Sequence, residues 1–320
     1  MRFPANMHIK AAEQQFYMAK AKNWEEFYAA LQQQNATCFN LVYADREGNI
    51  FYLSNGLIPK RNPAYDWQGL LKGNTSQTLW QQGDYYALEE LPQLLNPKAG
   101  YVFNTNNTPF NATHPAENLL GKQYPKFMGF ETYENNRSLR LAHLLASHQG
   151  QFSYEDFKRI KYDWAYPDSL AFPFYVGLEK IFSLEAAKYP ELDKSIRLLQ
   201  QWDRKNDQES KGAGLFMVFL HYLGKAMKAQ QRLYAYNKVT EQEIVTALTE
   251  AQKHLLKHFK SIEVPLGKVQ VHQLRQSRTD LWEAIKMYWQ PCTQYLTKKG
   301  NSRQTKASLI FYWHSFQQRD

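Results

Sequence analysis

The stretch CFNLVYADREGNIFYLSNG, residues 38–56, constrains the fold of this chain more than any other. Two β-rich runs flank Asp45, Arg46, Glu47, Gly48 and Asn49, a cluster of turn formers that closes a hairpin. Side chains alternate across a strand, so Phe39, Leu41 and Tyr43 share one face while Val42 and Ala44 fall on the other. Both faces are largely apolar. Such a hairpin calls for cover on two sides, which suits a layered sheet better than a surface ribbon.

Upstream, Asn23 precedes WEEFYAALQQQ with Glu26 three residues on, a capping-box pattern, and Trp24, Phe27, Tyr28 and Leu31 recur on one helical face. Residues 57–99 are punctuated by Gly and Pro and read as loops. Gly100, Tyr101, Val102 and Phe103 then form a β-leaning run, expected to be a further strand, which breaks off into Asn104, Thr105, Asn106 and Asn107 ahead of Pro109. From about residue 135 the pattern turns helical. Ser153 with Asp156 and Thr240 with Glu243 are helix starts, and Ile244, Ala247, Leu248, Ala251 and Leu255 follow at helical spacing. Strands first and helices later is the order of an α+β fold.

With 320 residues at 43% hydrophobic the chain can bury a sizeable core, as one large or two ordinary domains. It has no run of about 18 apolar residues, and its first ten residues lack the apolar stretch and cleavage pattern of a secretory signal, so neither a membrane span nor a signal peptide is expected. Cys38 and Cys292 stand far apart without CxxC spacing, which disfavours a structural zinc site. The formal charge of +9 comes from scattered Lys and Arg with one local cluster at residues 298–306, not the continuous track that a nucleic-acid partner requires.

The motifs that could carry chemistry have plain structural readings beside them. His254 and His258 lie one helical turn apart but lack the Glu of HExxH and an evident third ligand, so an amphipathic helix face is the expectation. Asp203 and Asp207 invite a paired-acid reading, yet Ser210 reads as the N-cap of a helix beginning near Gly212 and Trp202 as core. Neither a nucleophile elbow nor a glycine-rich phosphate loop is present.

Taken together, AKNWEEFYAAL, NLVYADREGNIFY, LPQLLNPKAGYVFNTNNTP, LLQQWDRKNDQESKGAGLF and VPLGKVQVHQLRQ resemble, in order and rough spacing, the β-chain of the penicillin acylase family. The resemblance covers residues 8–275. It implies an N-terminal-nucleophile amidohydrolase: a serine exposed by self-cleavage attacks an amide carbonyl with its own α-amino group as base. A strand-end asparagine of the family helps to stabilise the oxyanion, and the matching position is Asn106. An arginine some two dozen residues later orders the site, and Arg137 fits best, with Arg140 second. The expected fold is a partial αββα sandwich over residues 1–135, a mainly helical segment with a return strand over 136–275, and a divergent, less ordered tail over 276–320.

The nucleophilic serine of the family precedes the NWEEFYAAL segment by well over a hundred residues, so the chain reads as a β-chain fragment whose partners are the α-chain and the earlier part of the β-chain. The function implied is hydrolysis of a small-molecule N-acyl amide, with a place in antibiotic metabolism; a non-catalytic remnant or scaffold subunit of the same fold is the alternative. The family often binds calcium through acids of both chains, near Glu117 or Asn118 in this sequence, but no metal or cofactor is assigned to this chain itself. Relatives are usually exported to the periplasm.

Overall fold

A computed structural model of the chain describes residues 4, 9–36, 39–67, 69–172, 175–230, 237–274 and 277–280. It divides into two compact units, the division falling between Tyr133 and Glu134. The fold is α+β.

In the first unit, helices α1 (Ala11–Lys20) and α2 (Trp24–Leu31) precede the hairpin of β1 (Asn40–Ala44) and β2 (Ile50–Ser54). The Asn23 side chain accepts from the Glu26 N–H at 2.9 Å, while the Glu26 carboxylate accepts from the Lys22 N–H. The cap forms, with its reciprocal bond shifted by one residue. The antiparallel register pairs Leu41 with Leu53 and Tyr43 with Phe51, and α2 covers that face. Phe27 stacks on Tyr43 with centroids 4.3 Å apart, and Trp24 meets Phe51 edge-on at 4.7 Å. Burying a side chain such as Phe51 or Leu53 contributes about 1.5–3 kcal/mol, so this face anchors the unit.

Asp45 closes the hairpin. One carboxylate oxygen accepts from the Glu47 and Asn49 N–H groups, and the other from Asn49 Nδ2 and Tyr43 Oη. Gly48 takes the φ of +91° that the turn needs. On the opposite face Tyr52 is fully buried while Ala44 is exposed, so cover on the second side is only partial.

The third strand is not residues 100–103. It is β3 (Gln93–Leu95), antiparallel to β2, with Phe51 opposite Leu95. Asn96 at φ +49° and Gly100 at φ +74° bend the chain before Tyr101, and residues 101–104 stand outside the ladder.

The second unit begins with α3 (Asn136–Ser147) and α4 (Tyr154–Lys161), capped by Asn135 and Ser153. A two-residue strand β4 (Tyr175–Val176) pairs in parallel with β5 (Asn237–Lys238), on either side of α5 (Asp193–Gln200) and α6 (Lys211–Ala229) in sequence. Then come α7 (Glu241–Phe259) and α8 (Leu266–Val269). Ser210 and Thr240 cap α6 and α7 as expected, and all five periodic positions of α7 are buried. Trp202 is core, while Asp207 accepts from Trp164 Nε1 at 2.7 Å and Asp203 pairs with Lys205. The paired-acid reading therefore fails.

Strand β6 (Val271–Leu274) pairs with β7 (Ser277–Asp280), and helix α8 lies within residues 263–275, where the return strand was expected. The rest of the tail and both cysteines lie outside the described residues.

Candidate active site

Asn106 sits in a loop that the chain builds almost entirely from its own amides and hydroxyls. At its base, Phe103 N–H donates to Ala112 O at 2.9 Å and Thr113 Oγ1 donates to Tyr101 O at 2.7 Å. Asn118 braces the return limb, its Oδ1 accepting from the Ala112 and Thr113 N–H groups at 2.8 and 3.0 Å. Loops without ladder bonds need such substitutes, since an unpaired buried backbone group is costly.

Within the loop the Asn pair divides its work. Asn107 is 2% exposed; its Oδ1 accepts from Thr105 N–H and Oγ1, and its Nδ2 donates to the carbonyls of Thr108 and Asn111. Two acceptor sites and two donors are the whole capacity of a carboxamide. Asn107 is thus excluded as a donor to a substrate. Asn106 is half-buried and adopts φ +59°, the left-handed region that asparagine tolerates better than most side chains.

A relay from the sheet holds that conformation. Ser54 Oγ donates to Asn40 Oδ1 at 3.1 Å, Asn40 Nδ2 donates to Asn104 Oδ1 at 3.0 Å, and Asn104 Oδ1 also accepts the Asn106 N–H at 3.0 Å. The last bond is an Asx turn, which the spacing of Asn104 and Asn106 could have disclosed; the 64-residue link from Asn40 could not. The Tyr52 hydroxyl is buried beside Ser54 without reaching hydrogen-bond geometry, and burial pushes its pKa up.

The two arginines also separate. Arg140 is committed to Asp163 by two bonds of 2.8 Å, a bidentate pair that raises its pKa. Arg137 stands half-buried in the first turn of α3, where a cation opposes the helix dipole at a cost of the order of 0.3–1 kcal/mol. Asn106 belongs to the first unit and Arg137 to the second.

Of the two residues that the resemblance pointed to for calcium, Asn118 is committed within the loop. Both lone pairs of Asn118 Oδ1 are taken by backbone N–H groups and its Nδ2 lies within bonding reach of Thr113 O, which leaves Glu117 as a single carboxylate. Among the described residues no group of three or more His, Cys, Asp or Glu could hold a metal ion, and no helix is long and apolar enough to cross a membrane.

The described residues form an α+β arrangement. It is similar to a solved thermostable penicillin G acylase from Alcaligenes faecalis with a TM-score of 0.53 at 18% identity, over 79% of this chain and 52% of that one. A family model for penicillin amidase matches residues 1–313, and the chain belongs to that family. The match takes in most of the tail that had been set apart as divergent. Penicillin G acylase of Escherichia coli is 34% identical over 104 residues, 32% of this chain and 12% of the relative. The chain therefore spans about half of the solved structure and aligns with a small part of the curated relative.

Proposed function

We propose that this chain supplies the oxyanion-stabilising part of a hydrolase that acts on N-acyl amides of small molecules, as penicillin acylases do. In this reading Asn106 donates from Nδ2 to the tetrahedral oxyanion, Arg137 orders the site, and the serine nucleophile with its free amine comes from a segment outside these 320 residues. The observation that carries it is the division within the Asn pair, in a chain of the penicillin amidase family: Asn107 is bound at four points and Asn106 is held in a left-handed turn. A preorganised donor of this kind needs little reorganisation as charge develops, which is what transition-state stabilisation requires. Export of relatives makes the periplasm the proposed compartment.

The test compares the purified chain with the chain joined to the nucleophile-bearing segment of a relative, against phenylacetyl amides, penicillins and acyl-homoserine lactones. The expected result is no turnover by the chain alone and turnover by the joined protein. Activity of the chain alone that resists serine-directed inhibitors would overturn the assignment of the nucleophile. A folded, joined protein without activity would favour a non-catalytic scaffold.

A further inference from the structure

We infer that His254 and His258 form a binding site for a borderline divalent transition-metal ion, Zn(II), Ni(II) or Cu(II), separate from the amide chemistry. The two residues are four apart on α7 and so lie one above the other on the same face. Their ring centroids are 4.6 Å apart, with the planes inclined by 44°. Two imidazoles bound side by side at metal–nitrogen distances of about 2.0–2.1 Å place their centroids about 4.5 Å apart at a right angle and about 5.2 Å apart at a tetrahedral one. The observed spacing fits within that interval.

Two further features prepare the pair. Tyr222 Oη lies 3.1 Å from His254 Nδ1. With the Nδ1–H donating to that oxygen, the Nε2 lone pair is left on the far side of the ring, the arrangement by which an outer partner fixes the tautomer of a metal-binding histidine. The adjoining face of α7 is anchored by the fully buried Ile244, Leu248, Ala251 and Leu255, so the pair stands on a fixed support. His258 is exposed and His254 half-exposed, which leaves room for water to complete the coordination. An all-imidazole ligand set selects these metals over magnesium or calcium.

Untagged full-length chain titrated with NiCl₂ or ZnCl₂ in a calorimeter should bind one ion saturably, and its melting temperature should rise with metal because only the folded helix holds the pair in place. His254→Ala and His258→Ala should each weaken binding by at least about tenfold, and Tyr222→Phe by up to about tenfold. His221→Ala, beside Tyr222 on α6, should change it by less than about twofold. If His254→Ala fails to fold, His258→Ala still decides, and the Cu(II) EPR spectrum should lose one of two coordinated imidazole nitrogens in that variant. Binding unchanged in His258→Ala, or a Cu(II) spectrum with the same nitrogens in wild type and variant, would overturn the proposal.

Discussion

At φ +59°, Asn106 occupies a conformation that costs most side chains about 1–2 kcal/mol, whereas its neighbour Asn107 is fixed through its carboxamide. Two substitutions should therefore act in opposite ways. Asn107→Ala leaves buried carbonyls and a buried N–H unpaired and should destabilise the chain by about 2–4 kcal/mol in urea denaturation. Asn106→Gly keeps the left-handed turn and should leave the denaturation midpoint nearly unchanged, yet lower kcat of the joined enzyme by about 10²–10³ with little effect on KM. If Asn106→Gly keeps full kcat, the oxyanion role is wrong. Asp45 gives a prediction about pH. Partial burial opposes its charge, but bonds from the Asn49 side chain and backbone, Tyr43 and Glu47 outweigh this and hold its pKa below the ordinary 3.8. The folded state then binds fewer protons than the unfolded one, so this contribution is complete above pH 3.8 and is lost as pH falls through the folded value. Asp45→Asn should flatten that acid limb in melts between about pH 2 and 5. An unchanged limb would show that other carboxylates govern it.

Helix starts were legible in the sequence because a cap is a local bargain between residues three apart: Asn23, Ser153, Ser210 and Thr240 all bond the N–H they were expected to bond. The hairpin was legible for the same reason. The third strand was not, because it is only three residues long and is fixed by a partner far away: Asn96 exchanges bonds with Ile50, its N–H donating to Ile50 O and its Oδ1 accepting the Ile50 N–H. The helical glycines of α6 were equally silent. A Cβ at Gly214 would stand 2.1 Å from Val264 O, and one at Gly212 would stand 2.5 Å from Trp202 Cγ. Glycine here is what lets α6 approach the segment leading into α8, despite its poor helix propensity. Gly214→Ala should accordingly destabilise by about 1–3 kcal/mol or more, against the gain of nearly 1 kcal/mol that propensity alone predicts. A stabilised variant in thermal melts would mean that the close approach is not maintained in solution.

Among the described residues, most buried hydrophobic side chains gather into two cores, one drawn from residues between Met18 and Met128 and the other from residues between Tyr166 and Leu266. Each core is complete within its own unit. The first has a hairpin beneath a short helix; the second has α5, α6 and α7 around Phe216, Phe219 and Leu248. Stability in a chain with two such cores is expected to be local, since loss of packing in one removes no contact from within the other. Leu248 is fully buried in α7, and Leu248→Ala should cost about 2–5 kcal/mol through lost transfer energy and the cavity it leaves. Segment-resolved hydrogen exchange of the full chain is the measurement. Amides of α6 and α7 should exchange faster in the variant by the factor corresponding to that cost, roughly 30-fold or more, while those of β1 and β2 keep their wild-type protection. Equal loss of protection in β1 and β2 would show that both cores unfold in one cooperative step, and the oxyanion loop would then share its stability with the helical unit.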